Sequence, residues 1–502
     1  MSEPRPESGS MTRRIAAGTG WVIAWRVATR NLGLISTLIL VRLLDPADFG
    51  LVALATAFTA TVDALSMLGV QDALLREPNP DRAMYDSAFG ISVLRGGATA
   101  LLIAACAGPC AAFFNEPRLL VVLLALAAGA FVSAFENIGI VDFRRDMAFQ
   151  KEFHLQVVGR VVGVGVTIGL AWLWRDYWAL VAGLLATRLI RLGQSYVMSR
   201  YRPRFTIRAW RRLIGFSLWT WGITMVGQVR DRADSFVIGR AMTTADVAGF
   251  SVGQEIGSLP VTELIEPLYR TLFSAFSLVG QEGRGGRDLL LNAIEAGFLL
   301  LLPAGVGISL IADPVVHLML GERWVAVIPV VQILAAASTI TVFGTIASAM
   351  NAADGRVRTN FRFAMMAAMI KVPLLLLLVG WYGLAGAAVA VAITMLAEHV
   401  LLTRVTLRHL GIAWPALLLR LWRSALACLA MVAVLYAAGF AWTPGQGQGI
   451  WGMAEDVGLR AALGAATYAT TLLLAWLAAG RPEGAEQYFL TIAGKMLRRV
   501  RR

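Results

Sequence analysis

The stretch LVRLLDPADFG (Leu40–Gly50) lies between two long apolar runs and marks the turn between a first and a second hydrophobic helix. A weaker echo, IGRAMTTADVAGF (Ile238–Phe250), lies between two further apolar runs. The basic residue, the short turn and the Ala-Asp pair that opens the next helix recur in the same order at one constant offset. The repetition predicts a chain built from two related halves.

The composition indicates a polytopic membrane protein. Of 502 residues, 57% are hydrophobic and only 15% are charged, and the mean hydropathy is +0.66. In soluble domains about a quarter of the residues are charged. The three cysteines lie inside apolar runs, which argues against a disulfide framework or a zinc site. No motif for catalysis, ATP hydrolysis or a bound cofactor or metal is present, so we expect a protein that is not an enzyme.

The apolar runs predict about fourteen transmembrane helices, spans 1 to 14, the first at 15–41 and the last at 457–479. Spans 2, 7 and 8 are predicted at 48–70, 213–238 and 246–270. With the N-terminus inside, arginines cluster in every inside segment, whereas the outside loops hold about one basic residue apiece. Both termini are therefore predicted to be cytoplasmic. The same distribution accounts for the net charge of +13 without a nucleic-acid partner, because the basic residues are spread over many loops.

The two echoed turns follow spans 1 and 7, so each opens a block of six spans. An even number of spans keeps both copies in one orientation, which predicts two parallel six-helix lobes with the substrate path in a central cavity between them. The predicted segments are a cytoplasmic tail at 1–14, an N-lobe at 15–199, a basic cytoplasmic linker at 200–212, a C-lobe at 213–405, spans 13 and 14 at 406–480, and a basic cytoplasmic tail at 481–502.

Charged residues inside spans are costly and usually face a bundle interior or a water-filled cavity. Guanidinium groups match phosphoryl oxygens and stay charged when partly desolvated, so they favour a cationic cavity that holds a phosphate or diphosphate. The alternative is that the charges pair between helices, Arg30 with Asp63 and Arg230 with Asp234. The candidate cavity residues are Arg26, Arg30, Asp63, Arg230, Asp234 and Glu255.

Three acids within the spans are candidates for ion coupling. Asp63, Glu136 and Glu255 lie within apolar runs, where desolvation favours the protonated form of a carboxyl group. We expect one of them to exchange a proton or a sodium ion, so that an ion gradient drives the cycle.

Two patches carry a resemblance to a known family. The segment RLLDPADFGLVALATAFTATVDALSMLGVQDALLRE (Arg42–Glu77) resembles the start of bacterial polysaccharide-biosynthesis flippases. The segment LGERWVAVIPVVQILAAASTITVFGTIASAMNAADGR (Leu320–Arg356) resembles their tenth span and the loop after it. These flippases are the Wzx-like branch of the multidrug/oligosaccharidyl-lipid/polysaccharide exporter superfamily.

The resemblance implies two six-helix lobes that open alternately to each side, with spans 13 and 14 as a C-terminal addition. It implies a bacterial plasma-membrane protein whose cargo is an undecaprenyl-diphosphate-linked oligosaccharide. That cargo is moved from the cytoplasmic to the outer leaflet for exopolysaccharide, capsule or O-antigen assembly. Family members line the cavity with residues of spans 1, 2, 7 and 8. The expected partners are the lipid-linked oligosaccharide, the bilayer, and the polymerase and glycosyltransferases of the same pathway.

Other functions stay open at the level of sequence. A lipid II flippase is a close neighbour, and a multidrug or metabolite antiporter of the same superfamily would use a compact acidic site. The intramembrane arginines argue against a cationic drug as cargo. A membrane polymerase or ligase that acts on lipid-linked sugars typically needs a large outside loop, and the longest one here, Trp442–Asp456, is short.

Overall fold

The protein is a bundle of helices, and no strand occurs in the residues that the structure describes. A computed structural model describes residues 8–66, 69–77, 79–213, 218–265, 269, 272–273, 275–278, 286–445, 449–482 and 484–487. The predicted tails at 1–14 and 481–502 therefore lie partly outside the described residues.

The N-terminal part of the chain contains eleven of the described α-helices. They are α1 (Ser8–Leu43), α2 (Pro46–Leu65), α3 (Val70–Arg76), α4 (Arg82–Phe113), α5 (Arg118–Ser133), α6 (Val141–Arg145), α7 (Phe149–Trp174), α8 (Trp178–Met198), α9 (Trp210–Leu213), α10 (Leu218–Ala241) and α11 (Thr244–Pro260). A 3₁₀ turn at Ile138–Ile140 precedes α6, and a π-helical turn at Val261–Ile265 follows α11.

The C-terminal part continues with α12 (Gly286–Leu310), α13 (Ala312–Met319), α14 (Ile328–Ser338), α15 (Thr341–Ala353), α16 (Val357–His409), α17 (Trp414–Ala437) and α18 (Gly449–Ala478). A 3₁₀ helix at Glu322–Val327 precedes α14. The long helix α16 is broken at Gly383, where φ is 57° and ψ is −135°. Residues other than glycine rarely adopt that conformation, so the break divides α16 into two helical segments.

The helices confirm a multi-pass, all-α membrane fold. Within the described residues, seven helices are long and apolar enough to cross a membrane, or nine if each of two bent pairs is one span. Helices suit this environment because they satisfy every backbone hydrogen bond internally. Each predicted apolar run overlaps at least one described helix, but not all of these helices meet that length and hydropathy test, and the count of fourteen spans stays a prediction.

The chain divides into two compact units, Met1–Ala248 and Gly249–Arg502. The division falls after the predicted linker at 200–212 because α10 packs against α2 within the first unit. The predicted lobes were defined by the sequence repeat, whereas this division is defined by compactness. The division therefore does not test the lobe boundaries, which stay predictions.

Close packing of α7 and α8 builds one wall of the first unit. A Cβ placed on Gly163 would lie 1.8 Å from the Thr187 hydroxyl oxygen, and one on Gly183 would lie 1.6 Å from that of Thr167. Each threonine hydroxyl donates to a carbonyl in its own helix, at 2.8 Å in both cases. Small residues therefore let the two helices approach, as is usual in membranes.

The linker between α8 and α9 runs in an irregular path along the start of α4. The Asp86 carboxylate accepts hydrogen bonds from the Tyr201 hydroxyl at 2.7 Å and from the Arg204 backbone N–H at 2.8 Å. The Ala209 N–H donates to the Ser87 hydroxyl oxygen at 3.0 Å. Burial and the Asp86 carboxylate together raise the pKa of Tyr201, which keeps its hydroxyl protonated and able to donate.

A buried ion cluster joins three segments of the second unit. The Arg423 guanidinium of α17 donates to Glu486 at 2.6 Å and to Glu295 of α12 at 3.0 Å. All three side chains are less than a tenth exposed. This cluster holds the last described segment of the chain, 484–487, against the second unit.

Candidate functional site

A polar cavity of about 690 Å³ is formed within the first unit. Helices α2, α4, α5 and α8 supply most of its walls, with contributions from α3, α6 and Gln228 of α10. Its volume falls in the range of about 300–1,000 Å³ that is usual for small-molecule sites. The charged residues in its lining are Asp63, Asp72, Arg95, Glu136, Arg144, Arg188 and Arg191.

Two of the four arginines in the cavity are held in ion pairs. The Arg191 guanidinium contacts the Glu136 carboxylate directly and reaches Gln156 at 3.5 Å. Arg144 pairs with Glu152 at 2.7 Å. These pairs neutralise one another and tie α8 to the end of α5, and α6 to α7, so we interpret them as part of the wall.

Among the described residues, the other two arginines, Arg95 and Arg188, donate to neutral oxygens and to no carboxylate. Arg188 donates to the Leu126 carbonyl at 3.1 Å, and Arg95 reaches the Ser66 hydroxyl at 3.4 Å. Within the described part of the chain, neither guanidinium lies at ion-pair distance from a carboxylate. Asp63 attracts Arg188 through space. Each guanidinium therefore keeps further N–H donors for an anion in the cavity.

Local packing sets the position of Arg188. Its side chain lies across Gly129 of α5, and a Cβ at that glycine would stand 2.9 Å from Nη1 and 3.3 Å from Cδ of Arg188. The missing side chain of Gly129 thus makes the room in which the arginine crosses α5.

Arg95 is placed by the end of α2. Ser66, which follows the last turn of that helix, accepts a hydrogen bond from Thr99 at 2.9 Å and turns its oxygen toward Arg95. The Ser66 hydroxyl in turn donates to the Asp63 carbonyl at 2.8 Å. These hydrogen bonds of Thr99 and Ser66 join α4 to the end of α2.

The structure brings two of the predicted site residues into this cavity. Asp63 and Glu136 both contribute to the lining. The sequence interpretation did not select Arg95, Arg188 or Arg191. Each of them is a charge inside a predicted apolar span, so the rule that identified Arg26 and Arg30 would also have found them.

The other predicted residues lie elsewhere in the described structure. Arg26 is exposed and Arg30 half-buried on α1, which packs against α7. On α10 the Arg230 Nε contacts Asp231 at 2.8 Å, and Asp234 is 1% exposed.

Glu255 of α11 is exposed and belongs to the second unit. The described lining of the cavity includes none of these five predicted residues. Their roles stay predictions. No group of three or more His, Cys, Asp or Glu side chains in the described residues is arranged to hold a metal ion.

The structure thus places an arginine-bearing polar cavity among the helices of a multi-pass protein. Residues 39–329 match the family described as polysaccharide biosynthesis protein, and the chain belongs to that family. The resemblance carried by Arg42–Glu77 and Leu320–Arg356 is confirmed.

Relatives with recorded names extend over most of the chain. The succinoglycan biosynthesis transport protein ExoT of Rhizobium meliloti is 24% identical over 66% of this chain and 67% of its own. The lipopolysaccharide biosynthesis protein WzxC of Escherichia coli is 20% identical over 86% of this chain and 88% of its own. The teichuronic acid biosynthesis protein TuaB of Bacillus subtilis is 18% identical over 70% and 74% respectively.

Two solved structures share the fold. The lipid II flippase MurJ in an inward closed conformation gives a TM-score of 0.75 at 14% identity, over 91% of this chain and 100% of that chain. An inward-facing multidrug resistance transporter of the MATE family and the MOP superfamily gives 0.60 at 17% identity, over 76% and 94%. These two matches confirm the predicted all-α, multi-pass fold.

Proposed function

We propose that this protein moves an oligosaccharide linked to undecaprenyl diphosphate from the cytoplasmic to the outer leaflet of a bacterial plasma membrane. Family membership and the names of ExoT and WzxC support a role in polysaccharide export. The observation that carries the proposal is the polar cavity of the first unit, with Arg95 and Arg188 in its wall.

These two arginines suit the diphosphate of the cargo. Each offers N–H donors that no described carboxylate occupies, and charge-assisted hydrogen bonds to phosphate are about twice as strong as neutral ones. In a cavity surrounded by apolar helices, the guanidinium groups replace part of the hydration that the diphosphate loses. This lowers the free-energy cost of moving the cargo head group out of the aqueous phase.

The neutral part of the lining suits sugar hydroxyls. The hydroxyls of Ser92, Ser133 and Thr187 donate to carbonyls of their own helices and so offer acceptor oxygens to a ligand. Gln71 and Gln228 offer amides that both donate and accept. Such groups bind polyols without a fixed charge pattern. We therefore assign the sugar to this neutral part and the diphosphate to the arginines.

Ion coupling is part of the proposal and centres on Asp63. Asp63 lines the cavity and attracts Arg188, so a proton or sodium ion on Asp63 would change the field at that arginine. Glu136 and Glu255 are the other candidates. Release of the diphosphate on the outer side would then be linked to ion entry.

The proposal also includes the topology that the arginine distribution predicts and the partners that the family resemblance implies. Both termini lie in the cytoplasm, the chain acts as a transporter rather than an enzyme, and the polymerase and glycosyltransferases of the pathway supply and consume its cargo. Opening alternately to each side is the mode of action that a superfamily transporter would use.

The experiment uses a strain that lacks this protein and carries a plasmid copy of it. We expect export to cease in the strain and the lipid-linked oligosaccharide to accumulate in its inner leaflet, which lipid extraction and labelling of outward-facing sugars would measure. Arg95→Gln and Arg188→Gln should each lower export about tenfold or more at normal protein levels, because a charge-assisted hydrogen bond is worth about 1.5–3 kcal/mol. The matched control is Arg404→Gln, which removes an exposed arginine of α16.

Two outcomes would contradict the proposed cargo, and a third would contradict the proposed ion coupling. If lipid II, rather than a pathway oligosaccharide, accumulates without the protein, the cargo is the cell-wall precursor. If neither lipid accumulates and cells become sensitive to cationic drugs, the antiporter alternative holds. Transport in vesicles that is indifferent to both proton and sodium gradients would remove the coupling through Asp63.

A further inference from the structure

A second, apolar groove of about 560 Å³ opens beside the polar cavity in the first unit. Helix α4 and the segment that precedes and begins α9 form its walls, and its rim is open, since Leu94 is 52% and Trp210 44% exposed. The residues that line it are Ser66, Ile91, Leu94, Arg95, Ala98, Ile207 and Trp210.

The wall made by the linker is held in place rather than loosely apposed. Its backbone is hydrogen-bonded to Asp86 and Ser87 of α4, as described above. At Gly90 the contact is so close that a Cβ would lie 2.2 Å from the Thr206 carbonyl oxygen. The groove is therefore preformed, so a ligand that binds in it does not incur the entropic cost of ordering this wall.

The depth of the groove suits a lipid tail. Leu94 lies about 18 Å from the start of α4, given a rise of about 1.5 Å per residue. Trp210, at the other wall, is of the residue type that concentrates at membrane interfaces. With the start of α4 at the cytoplasmic face, as the arginine distribution predicts, the groove would extend from that interface toward the hydrocarbon region.

Arg95 belongs to the linings of both the groove and the polar cavity. A ligand that fills both spaces must therefore carry a hydrocarbon chain joined to an anionic group at the position of Arg95. A glycerophospholipid would bring two chains to a single groove, whereas a polyprenyl diphosphate brings one.

We infer that this groove holds the isoprenoid chain of the carrier lipid next to its diphosphate, with Arg95 at the junction between tail and head. The inference rests on the proposed function and adds to it a defined place for the tail on the first unit. It makes Arg95 a residue that recognises the lipid carrier, whichever sugar is attached.

Photocrosslinking tests the occupant directly. Benzoylphenylalanine replaces Leu94 in the full chain, reconstituted in phosphatidylethanolamine and phosphatidylglycerol vesicles that contain radiolabelled undecaprenyl phosphate. The matched control places the same group at Leu101, which is 72% exposed and lies two turns further along the same face of α4. We expect at least about tenfold more polyprenyl crosslink at Leu94, a ratio that corresponds to about 1.4 kcal/mol. Equal yields at both positions, or crosslinks at Leu94 to phospholipid alone, would overturn the inference.

Filling the groove tests its role in transport. Ala98→Trp puts a large ring on the exposed groove wall, and Ala105→Trp puts the same ring two turns further along that face. We expect Ala98→Trp to lower export about tenfold and Ala105→Trp to leave it within about twofold, a change of well under 1.4 kcal/mol. Full export by abundant Ala98→Trp protein would reject the groove while leaving the proposed cargo intact. Absence of lipid-linked oligosaccharide from the strain without the protein would instead reject the proposed function.

Discussion

Gly50 of α2 lies against the backbone of Thr244 at the start of α11. A Cβ built on Gly50 would stand 1.5 Å from the Thr244 carbonyl oxygen and 2.4 Å from the carbonyl carbon. The two turns that echo one another in the sequence therefore touch in the structure. Their contact lies within the first unit, which extends to Ala248.

The two turns are built by different side-chain contacts. Asp246 accepts from the Thr243 N–H at 3.0 Å and from the Thr243 hydroxyl at 2.6 Å, a typical start of a helix. Asp48 instead pairs with Arg118 at 3.7 Å. Both copies of the repeat thus place an acid in the first helical turn, where the helix dipole favours negative charge. The residue that contacts the acid differs between the two copies.

Gly50→Ala should destabilise the protein. The neighbour of the added methyl group is backbone, which cannot rotate away as a side chain can, so we expect a cost of about 1–3 kcal/mol. Thermal unfolding of the purified protein in detergent measures it. Gly165→Ala is the control, because a Cβ at Gly165 meets nothing within 4 Å. An unchanged melting temperature for Gly50→Ala would show that the two helices separate at no cost.

Cysteines at Pro46 and Thr244 should be joined by a short crosslinker. Pro46 lies one turn before Gly50, so the contact brings the two positions near each other. If the turns part during transport, the crosslinked protein will not export, which a reducible reagent and recovery of export after reduction would verify. Full export by quantitatively crosslinked protein would show that these turns keep one arrangement throughout the cycle.

Gly129→Ala should impair transport more than folding. The added methyl group meets the flexible ends of Arg188 and Leu185, which can move, so the guanidinium swings away from its position in the cavity. We expect export to fall about as far as in Arg188→Gln, by the worth of a charge-assisted hydrogen bond of about 1.5–3 kcal/mol. Export assays and melting temperatures together separate the two effects.

Gly97→Ala is the matched control for Gly129→Ala. A Cβ at Gly97 meets only Phe131, at 3.8 Å, which is ordinary contact. Loss of folding in Gly129→Ala, with transport per folded molecule unchanged, would contradict the role given to Arg188.

Arg423→Leu should strongly destabilise the second unit. It would leave Glu295 and Glu486 buried without their shared guanidinium, and breaking such a cluster typically costs about 3–5 kcal/mol. Melting temperatures in detergent would reveal the loss. Arg404→Leu removes an exposed arginine and should have little effect. Equal stability of the two variants would mean that the cluster adds nothing to folding.

Tyr201→Phe should reduce stability by about 1 kcal/mol, because the Asp86 carboxylate loses a hydrogen-bond donor. The folded-state pKa of Tyr201 is raised above its ordinary value of 10.0. The contribution of Tyr201 to the stability of the folded protein is therefore complete below pH 10.0 and declines as the pH rises above that value toward the folded-state pKa.

The stability difference between wild type and Tyr201→Phe should therefore shrink in alkaline solution. Melting temperatures from about pH 8 to about pH 11 would measure it. Tyr436→Phe, which alters a tyrosine that is 69% exposed, is the control. A difference that stays constant across this range would contradict the hydrogen bond.

The sequence by itself determined the class of fold and the family. A run of apolar residues long enough to cross the bilayer must satisfy its own backbone hydrogen bonds, and only a helix does so within one segment. The long apolar helices could therefore be located from their own stretches of chain, and so could the patch Arg42–Glu77 that carries the family resemblance.

Only the tertiary structure decided which charges meet. Asp63 was selected from its own span, but that it faces Arg188, and that Glu136 pairs with Arg191, depends on the rotation of helices far apart in the chain. Helix rotation is set by the packing of all neighbours at once, and a charge inside one span does not reveal which neighbour it will face. The contact of Gly50 with Thr244 has the same origin, because a turn of the chain specifies its own geometry but not the distant backbone that packs on it.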